Sequence, residues 1–166
     1  KKVNDRDISS GHYFMLHDIQ VNVGEQTNYI HSITVITNKT GVQNHSEINI
    51  SFPGVYQKLI FHELSITRGT QRINKLSQSA IKVVDEEPFM SEYQVHDYTS
   101  AIVILDDVRE GDILELAYSL KGFNPVLGSK YNNFFNLYAE SPVINNYTSV
   151  LIPAGRKLNY TCYNDA

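Results

Sequence analysis

Apolar and polar residues alternate along most of this chain. Tyr13, Met15, Ile19, Val21 and Val23 are interleaved with Asp18, Gln20 and Asn22, and Ile48, Ile50 and Phe52 with Glu47, Asn49 and Ser51. A period of two sets one face of a strand against a core and the other toward water. Denser runs, Ile33-Thr34-Val35-Ile36, Leu59-Ile60-Phe61, Ile102-Val103-Ile104-Leu105 and Val150-Leu151-Ile152, read as central strands covered on both faces. Ile, Val, Thr, Tyr and Phe dominate these segments, as a pleated surface favours.

Turn chemistry falls between the runs. Gly24, Asn38-Lys39-Thr40-Gly41 and Phe52-Pro53-Gly54 close the first three strands. Arg68-Gly69 separates Leu64-Ser65-Ile66 from Gln71-Arg72-Ile73 at hairpin spacing. Glu110-Gly111-Asp112 separates the strands 101–107 and 113–120, and Gly122-Phe123-Asn124-Pro125, Ser141-Pro142 and Pro153-Ala154-Gly155 punctuate the last third. No stretch sustains a 3.6 period; a short helical turn fits 76–80, with Ser77 as its cap. The fold class is therefore all-β, an antiparallel β-sandwich with little helix.

Size and charge narrow the function classes. With 166 residues, a chain buries roughly 70% of its unfolded surface and needs no staples. It reads as one β-sandwich domain over 1–166. The start at Lys1-Lys2-Val3-Asn4 and the stop at Tyr163-Asn164-Asp165-Ala166 suggest a piece excised from a longer multidomain protein. The net charge of -4 disfavours nucleic acid as a partner. No apolar run reaches the ~20 residues of a membrane helix, so no membrane insertion is expected. A single Cys leaves no intrachain disulfide and no multi-Cys zinc site.

Candidate chemistry is sparse. Cys162 lacks a base: all six His, at 12, 17, 31, 45, 62 and 96, lie upstream, so a terminal strand residue is the better reading than a nucleophile. No His pair shows a ligand spacing, and His17 is in phase with the apolar positions of the first strand. The acidic stretch 85–97 could supply a Ca²⁺ site or a glycosidase pair, yet lacks the EF-hand pattern and reads as a solvated loop. Five Asn-x-Ser/Thr triplets, at Asn38, Asn44, Asn49, Asn146 and Asn159, matter only in a secreted eukaryotic protein. Phosphate loops, dinucleotide fingerprints and Ser elbows are missing. No catalytic residue, metal ligand or cofactor is expected.

The most specific stretch runs from Leu105 to Val126: a strand, a tight Gly turn, a second strand, then Gly and an Asn-Pro turn. It resembles the bacterial domain of unknown function that directly precedes transglutaminase-like domains, where the pattern is roughly D-V-R-x-G-D, an apolar pair, Glu, an aromatic and G-x-N-P. Asp107, Val108, Arg109, Gly111, Asp112, Glu115, Tyr118, Gly122, Asn124 and Pro125 match; Leu116 departs where an aromatic is usual. Weaker landmarks are Thr40-Gly41-Val42-Gln43, Tyr56-Gln57-Lys58-Leu59 and Ile81-Lys82-Val83. The resemblance implies a non-catalytic β-sandwich attached to a papain-like domain, in a periplasmic or extracellular protein. That domain's Cys–His–Asp triad has no counterpart at Cys162. Arg109 and its acidic neighbours are expected to be structural, an Arg fork fixing the hairpin.

Three functions compete. One is an accessory module that docks on, or positions substrate for, a downstream catalytic domain of the same polypeptide. Another is a glycan- or peptide-binding module using Tyr131, Phe134, Phe135 and Tyr138 as an exposed aromatic strip. The third is an enzyme using the acidic loop. If 131–138 is a strand, Phe135 and Leu137 face one way and Phe134 and Tyr138 the other, which leaves one face for docking unless both are buried.

Overall fold

The computed structural model describes residues 3, 8–76, 81–85, 98–128, 130–136 and 139–163. Among them nine strands form two sheets. In chain order the elements are β1 His12–Asn22, β2 Thr27–Ile36, α1 Lys39–His45, β3 Glu47–Pro53, β4 Lys58–Arg68, β5 Gln71–Asn74, β6 Ile81–Asp85, β7 Tyr98–Ile104, β8 Ile113–Lys121 and β9 Asn146–Leu151. The larger sheet has six strands in the order β5-β4-β8-β2-β1-β9, and the smaller has three in the order β3-β7-β6.

The sheets meet through the alternating apolar positions. Ile36, Leu64, Ile66 and Leu114 from the larger sheet pack with Val103, Leu105 and Val108. Ile50, Phe52 and Ala101 of the smaller sheet pack with Leu59, Phe61, Tyr118 and Leu120. The expected all-β two-layer architecture is therefore present. Full burial of each such Leu, Ile or Phe stabilises by about 1.5–3 kcal/mol, so the core sits where β4, β8 and β2 lie under β3 and β7.

Several local expectations are corrected. Three of the four dense apolar runs are not covered on both faces: Ile60, Ile104 and Leu151 are exposed, whereas none of residues 33–36 is. Val150-Leu151 lies on β9, an edge strand, and β9 pairs with β1 in parallel, which departs from an all-antiparallel sheet. In β1 the register slips between Phe14 and Leu16, so Met15 is a bulge. The slip turns Tyr13 and Met15 away from the face of Ile19 and Val21, and the freed Met15 carbonyl accepts from Asn145 Nδ2 at 3.0 Å. His17 does share the face of Ile19 and Val21. Helix α1 replaces the turn read at 38–41; Asn38 caps it, its Oδ1 accepting from the Thr40 and Gly41 amides at 2.9 and 3.2 Å.

The stretch 131–136 is irregular, not a strand, and so is the segment carrying exposed Cys162. The Arg68-Gly69 hairpin is as expected, with Arg68 paired to Gln71. The strands on either side of Gly111 do not form a hairpin: β7 belongs to the smaller sheet and β8 to the larger. Residues 105–112 are a crossover between layers. The helical turn at 76–80 falls outside the described residues from Ser77 onward, as do 86–97 of the acidic loop, Leu137 and Tyr138.

Candidate functional site

The motif strand β8 runs through the middle of the larger sheet, and the residues singled out in it separate into three places. At its start lies the crossover. Asp112 is buried and accepts three hydrogen bonds: from Arg68 Nε at 2.8 Å, Arg68 Nη2 at 2.8 Å and the Arg109 amide at 2.8 Å. Burial alone would raise this carboxyl, but the Arg68 fork and the Arg109 amide outweigh it and hold it below its ordinary value. Arg68 also reaches Asp107 Oδ2 at 2.9 Å. Arg109 lies outside this layer and clamps Asp107 through Nε at 2.7 Å and Nη2 at 2.8 Å. Hydrogen bonds from Arg109 and then Arg68 bring Asp107 down to about 2.

The backbone suits these contacts. Gly111 takes φ 85° and Asp107 φ 64°, a left-handed conformation that Asp tolerates better than most residues. Gly111 N donates to Ile36 O and Ile36 N donates to Asp112 O, at 2.8 and 2.9 Å, which ties the turn to the end of β2. Val108 is buried in the core beside it. The central cation is Arg68, the last residue of β4. Sequence reasoning assigned the fork to Arg109 and missed Arg68, which nothing local to 105–112 marks.

Midway along β8 the two faces differ. Tyr118 points into the core, where burial raises its hydroxyl pKa. Glu115 points out. Its Oε1 is 2.9 Å from His31 Nε2 on β2 and its Oε2 is 2.8 Å from Arg72 Nη2 on β5. Arg72 also meets Glu63 on β4 at 3.1 Å. These contacts thus link side chains of four neighbouring strands on the outer face, in the order Arg72, Glu63, Glu115 and His31. Beside it the β4 bulge residue His62 contacts Ser119 Oγ at 2.7 Å. Elsewhere His12 and His45 stand edge to face with centroids 4.3 Å apart. Burial lowers both, and each Nδ1 faces a backbone carbonyl, of Ser10 and Gly41 respectively. Among the described residues no three His, Cys, Asp or Glu side chains are grouped to hold a metal ion. None of their helices is long and apolar enough to cross a membrane.

At the far end of β8 the chain builds a pocket. Thr27 and Lys58 both pair with Lys121, so β2 and β4 begin where β8 ends. Gly122 follows at φ 119°, with a Cβ there overlapping the Tyr56 carbonyl oxygen. Gln57 Nε2 donates to Gly122 O at 3.0 Å, and Gly122 N to Gln26 O at 2.7 Å. Asn124 Oδ1 accepts from Val126 N at 3.0 Å and opens a single 3₁₀ turn, Pro125–Leu127, with Pro125 at its first position. The chain then folds back so that Tyr131 packs on Phe123, centroids 5.0 Å apart.

These elements border an open pocket of about 190 Å³, lined by Asn28, Tyr56, Gln57, Phe123, Tyr131 and Asn133 among others. On two of the lining residues a polar atom, Asn28 Oδ1 and Tyr131 Oη, is buried away from solvent with no hydrogen-bond partner within bonding geometry. Each such group costs about 1–3 kcal/mol. Burial raises the Tyr131 hydroxyl; the Asn133 side chain lies close enough to oppose that, without hydrogen-bonding geometry. Of the aromatic strip, Tyr131 is thus a pocket residue, Phe135 is half-buried, and Phe134 is 76% exposed. A second cleft, about 420 Å³, continues the apolar core between Leu59, Phe61, Ile81 and Val83.

The model of the DUF3857 family, a domain of unknown function with a solved structure, matches residues 22–166. No curated protein matches the chain. Among solved structures, a "putative protease" from Parabacteroides distasonis is similar with a TM-score of 0.55 and 15% sequence identity, over 69% of this chain and 23% of that one. At that identity the likeness concerns the fold. The chain spans about a quarter of the length of that protein. This chain belongs to the DUF3857 family.

Proposed function

We propose that the chain is a non-catalytic accessory β-sandwich of a transglutaminase-like protein, periplasmic or extracellular, that docks on a catalytic domain of the same polypeptide and positions its substrate. The observation that carries this reading is the apolar surface of the last third of the chain. Phe134, Tyr147, Leu151 and Tyr160 are 76%, 57%, 64% and 80% exposed. Tyr147 and Leu151 lie on β9, an edge strand whose outer side offers unpaired backbone groups. Exposed apolar side chains on an edge strand, as Tyr147 and Leu151 are, suit a contact surface. Two further facts support the reading: the similar protease is several times longer than this chain, and the motif carboxylates at 107 and 112 are engaged by Arg side chains.

The test uses the longer protein and this chain alone. Phe134→Ser and Leu151→Ser should each change the stability of the isolated chain by less than about 0.5 kcal/mol. In the longer protein they should raise hydrogen exchange where the two domains meet. Unchanged exchange in both variants removes the docking surface. Turnover of a glutaminyl peptide by the isolated chain removes the non-catalytic assignment.

A further inference from the structure

We propose that the free edge of β4, from Lys58 to Glu63, binds an extended peptide as an added antiparallel strand, with apolar residues on its inner face and a carboxylate opposite Lys58. The ladder has a vacancy there. The hairpin partner β5 pairs with β4 only from Ser65 to Arg68, and Lys75 N then donates to Leu64 O at 2.8 Å. Beyond that point the chain leaves the sheet, and Leu76 packs against the core. Among the described residues, Lys58 to Glu63 pair with β8 alone. Such an edge presents a row of unpaired N–H and C=O groups, here over about 20 Å. An antiparallel peptide would continue the line of β5 from where β5 turns away.

The side chains beside the vacancy define the peptide. Leu59 and Phe61 pair with Leu120 and Tyr118 and face inward, onto the open cleft of about 420 Å³ that Ile81 and Val83 of β6 line from the other sheet. Val83 is 66% exposed and β6 pairs with β7 alone, so this side of the two layers is open among the described residues. Alternate residues of an added strand would fall over that cleft and cover it. Lys58 and Ile60 pair with Lys121 and Ser119 and face outward. Lys58 and Lys121 are thus like charges directly opposite each other, a destabilising arrangement when nothing neutralises it. No carboxylate among the described residues pairs with either lysine, and none lines the cleft. A peptide carboxylate next to a cleft-filling residue would point outward and meet Lys58. A fatty acid is disfavoured, since its acyl chain would leave the backbone edge unpaired. This edge and β9 lie on opposite sides of the larger sheet, so peptide binding here is independent of the docking surface proposed above.

The experiment is a ¹H–¹⁵N NMR titration of the full chain with acetyl-Thr-Val-Thr-Val-Glu-amide, which in antiparallel register sets Val opposite Leu59 and Phe61 and Glu opposite Lys58. The comparison ligands are the same peptide ending in Lys, two versions N-methylated at alternate residues in opposite phase, and dodecanoate. Saturable shifts of the Lys58, Leu59, Ile60 and Phe61 amides are expected at up to millimolar peptide, with slowed amide exchange along 58–63. One N-methyl phase should abolish binding and the other keep it, because only alternate amides of an added strand face β4. Ending the peptide in Lys should weaken binding about threefold, and Lys58→Glu should remove that preference. Strand addition is overturned if the peptide does not bind, if both N-methyl phases bind as well as the parent, or if wild type binds the Glu and Lys peptides equally. It is overturned too if dodecanoate alone shifts these residues. The same holds if no amide from 58 to 63 exchanges rapidly in the free chain, since the edge would then be covered by another part of the chain or a second copy.

Discussion

Replacing Asp112 by Ala tests what holds the two layers together at the crossover. The Asp112 side chain is 1% exposed and Arg68 27%. Removing one partner of a buried pair typically costs about 3–5 kcal/mol, because the other charge is left uncompensated. Arg68 keeps Asp107 and some solvent, which trims the penalty, while the Arg109 amide loses its acceptor, which adds to it. We expect about 3 kcal/mol. For a chain of this length that corresponds to a fall in melting temperature of about 6–12 °C. The pH dependence gives a second readout. Asp112 and Asp107 both titrate lower when folded than in the unfolded chain. Their contribution is therefore complete above the unfolded carboxylate range and fades as the pH falls through the folded values. The unfolded chain binds more protons across that window, so wild-type stability should rise with pH from about 2 to about 5. Asp112→Ala should flatten that rise. Urea denaturation at several pH values measures both effects. A loss below about 1 kcal/mol at neutral pH, with the acid slope intact, would refute the assignment of Asp112 as the anchor.

Two further outcomes follow from the same geometry. Arg109→Ala should cost less than about 1 kcal/mol, since both Arg109 and its partner Asp107 are more than half exposed, whereas Arg68→Ala should approach the Asp112→Ala loss; calorimetry on the pair separates them, and an equal effect would contradict the layering. Gly122→Ala should destabilise by about 2 kcal/mol or more, because it adds a Cβ at φ 119° against the Tyr56 carbonyl; a melting temperature within a degree of wild type would show that the Tyr56–Gln57 turn moves freely.

What the sequence made legible was local. Alternation at Ile48, Ile50 and Phe52 gave the right inward face for β3, and Arg68-Gly69 gave the right hairpin. Of the 105–126 stretch, the Gly111 turn and the strand after it were read correctly, whereas residues 105–112 form a crossover and not a strand. The errors share a cause, which is separation along the chain. Arg68 is 44 residues from Asp112 and His31 is 84 from Glu115, and no local spacing announces either pair. Asn28 and Tyr131 line one pocket only because three strand ends coincide at Lys121. The parallel β1–β9 pairing needs a long excursion that periodicity cannot reveal. Helix α1 has only seven residues, too short for a 3.6 period to accumulate; its one signal was the Asn38 cap, which fits a turn equally well. The Met15 bulge inverted the face of Tyr13 because a one-residue slip exchanges the two sides of a strand.

The spread of the motif explains why so much of it is contiguous. A strand of nine residues spans about 30 Å, enough to link opposite ends of the larger sheet. At one end Asp107 to Asp112 turn the chain from the smaller sheet into the larger, with Arg68 fastening the turn to β4. In the middle Tyr118 fills the core while Glu115 joins β2 to β5 across the outer face. At the other end Gly122 must pass close to the Tyr56 carbonyl, and Asn124-Pro125 reverse the chain so that Tyr131 comes back over Phe123. Each residue type is required by its place: a buried acceptor for the Arg fork, a small residue for the close approach, a capping amide before Pro. At this last end the chain leaves an open pocket beside the Phe123–Tyr131 pair. The crossover and the outer-face row are matched donor to acceptor, so they stabilise without inviting a ligand.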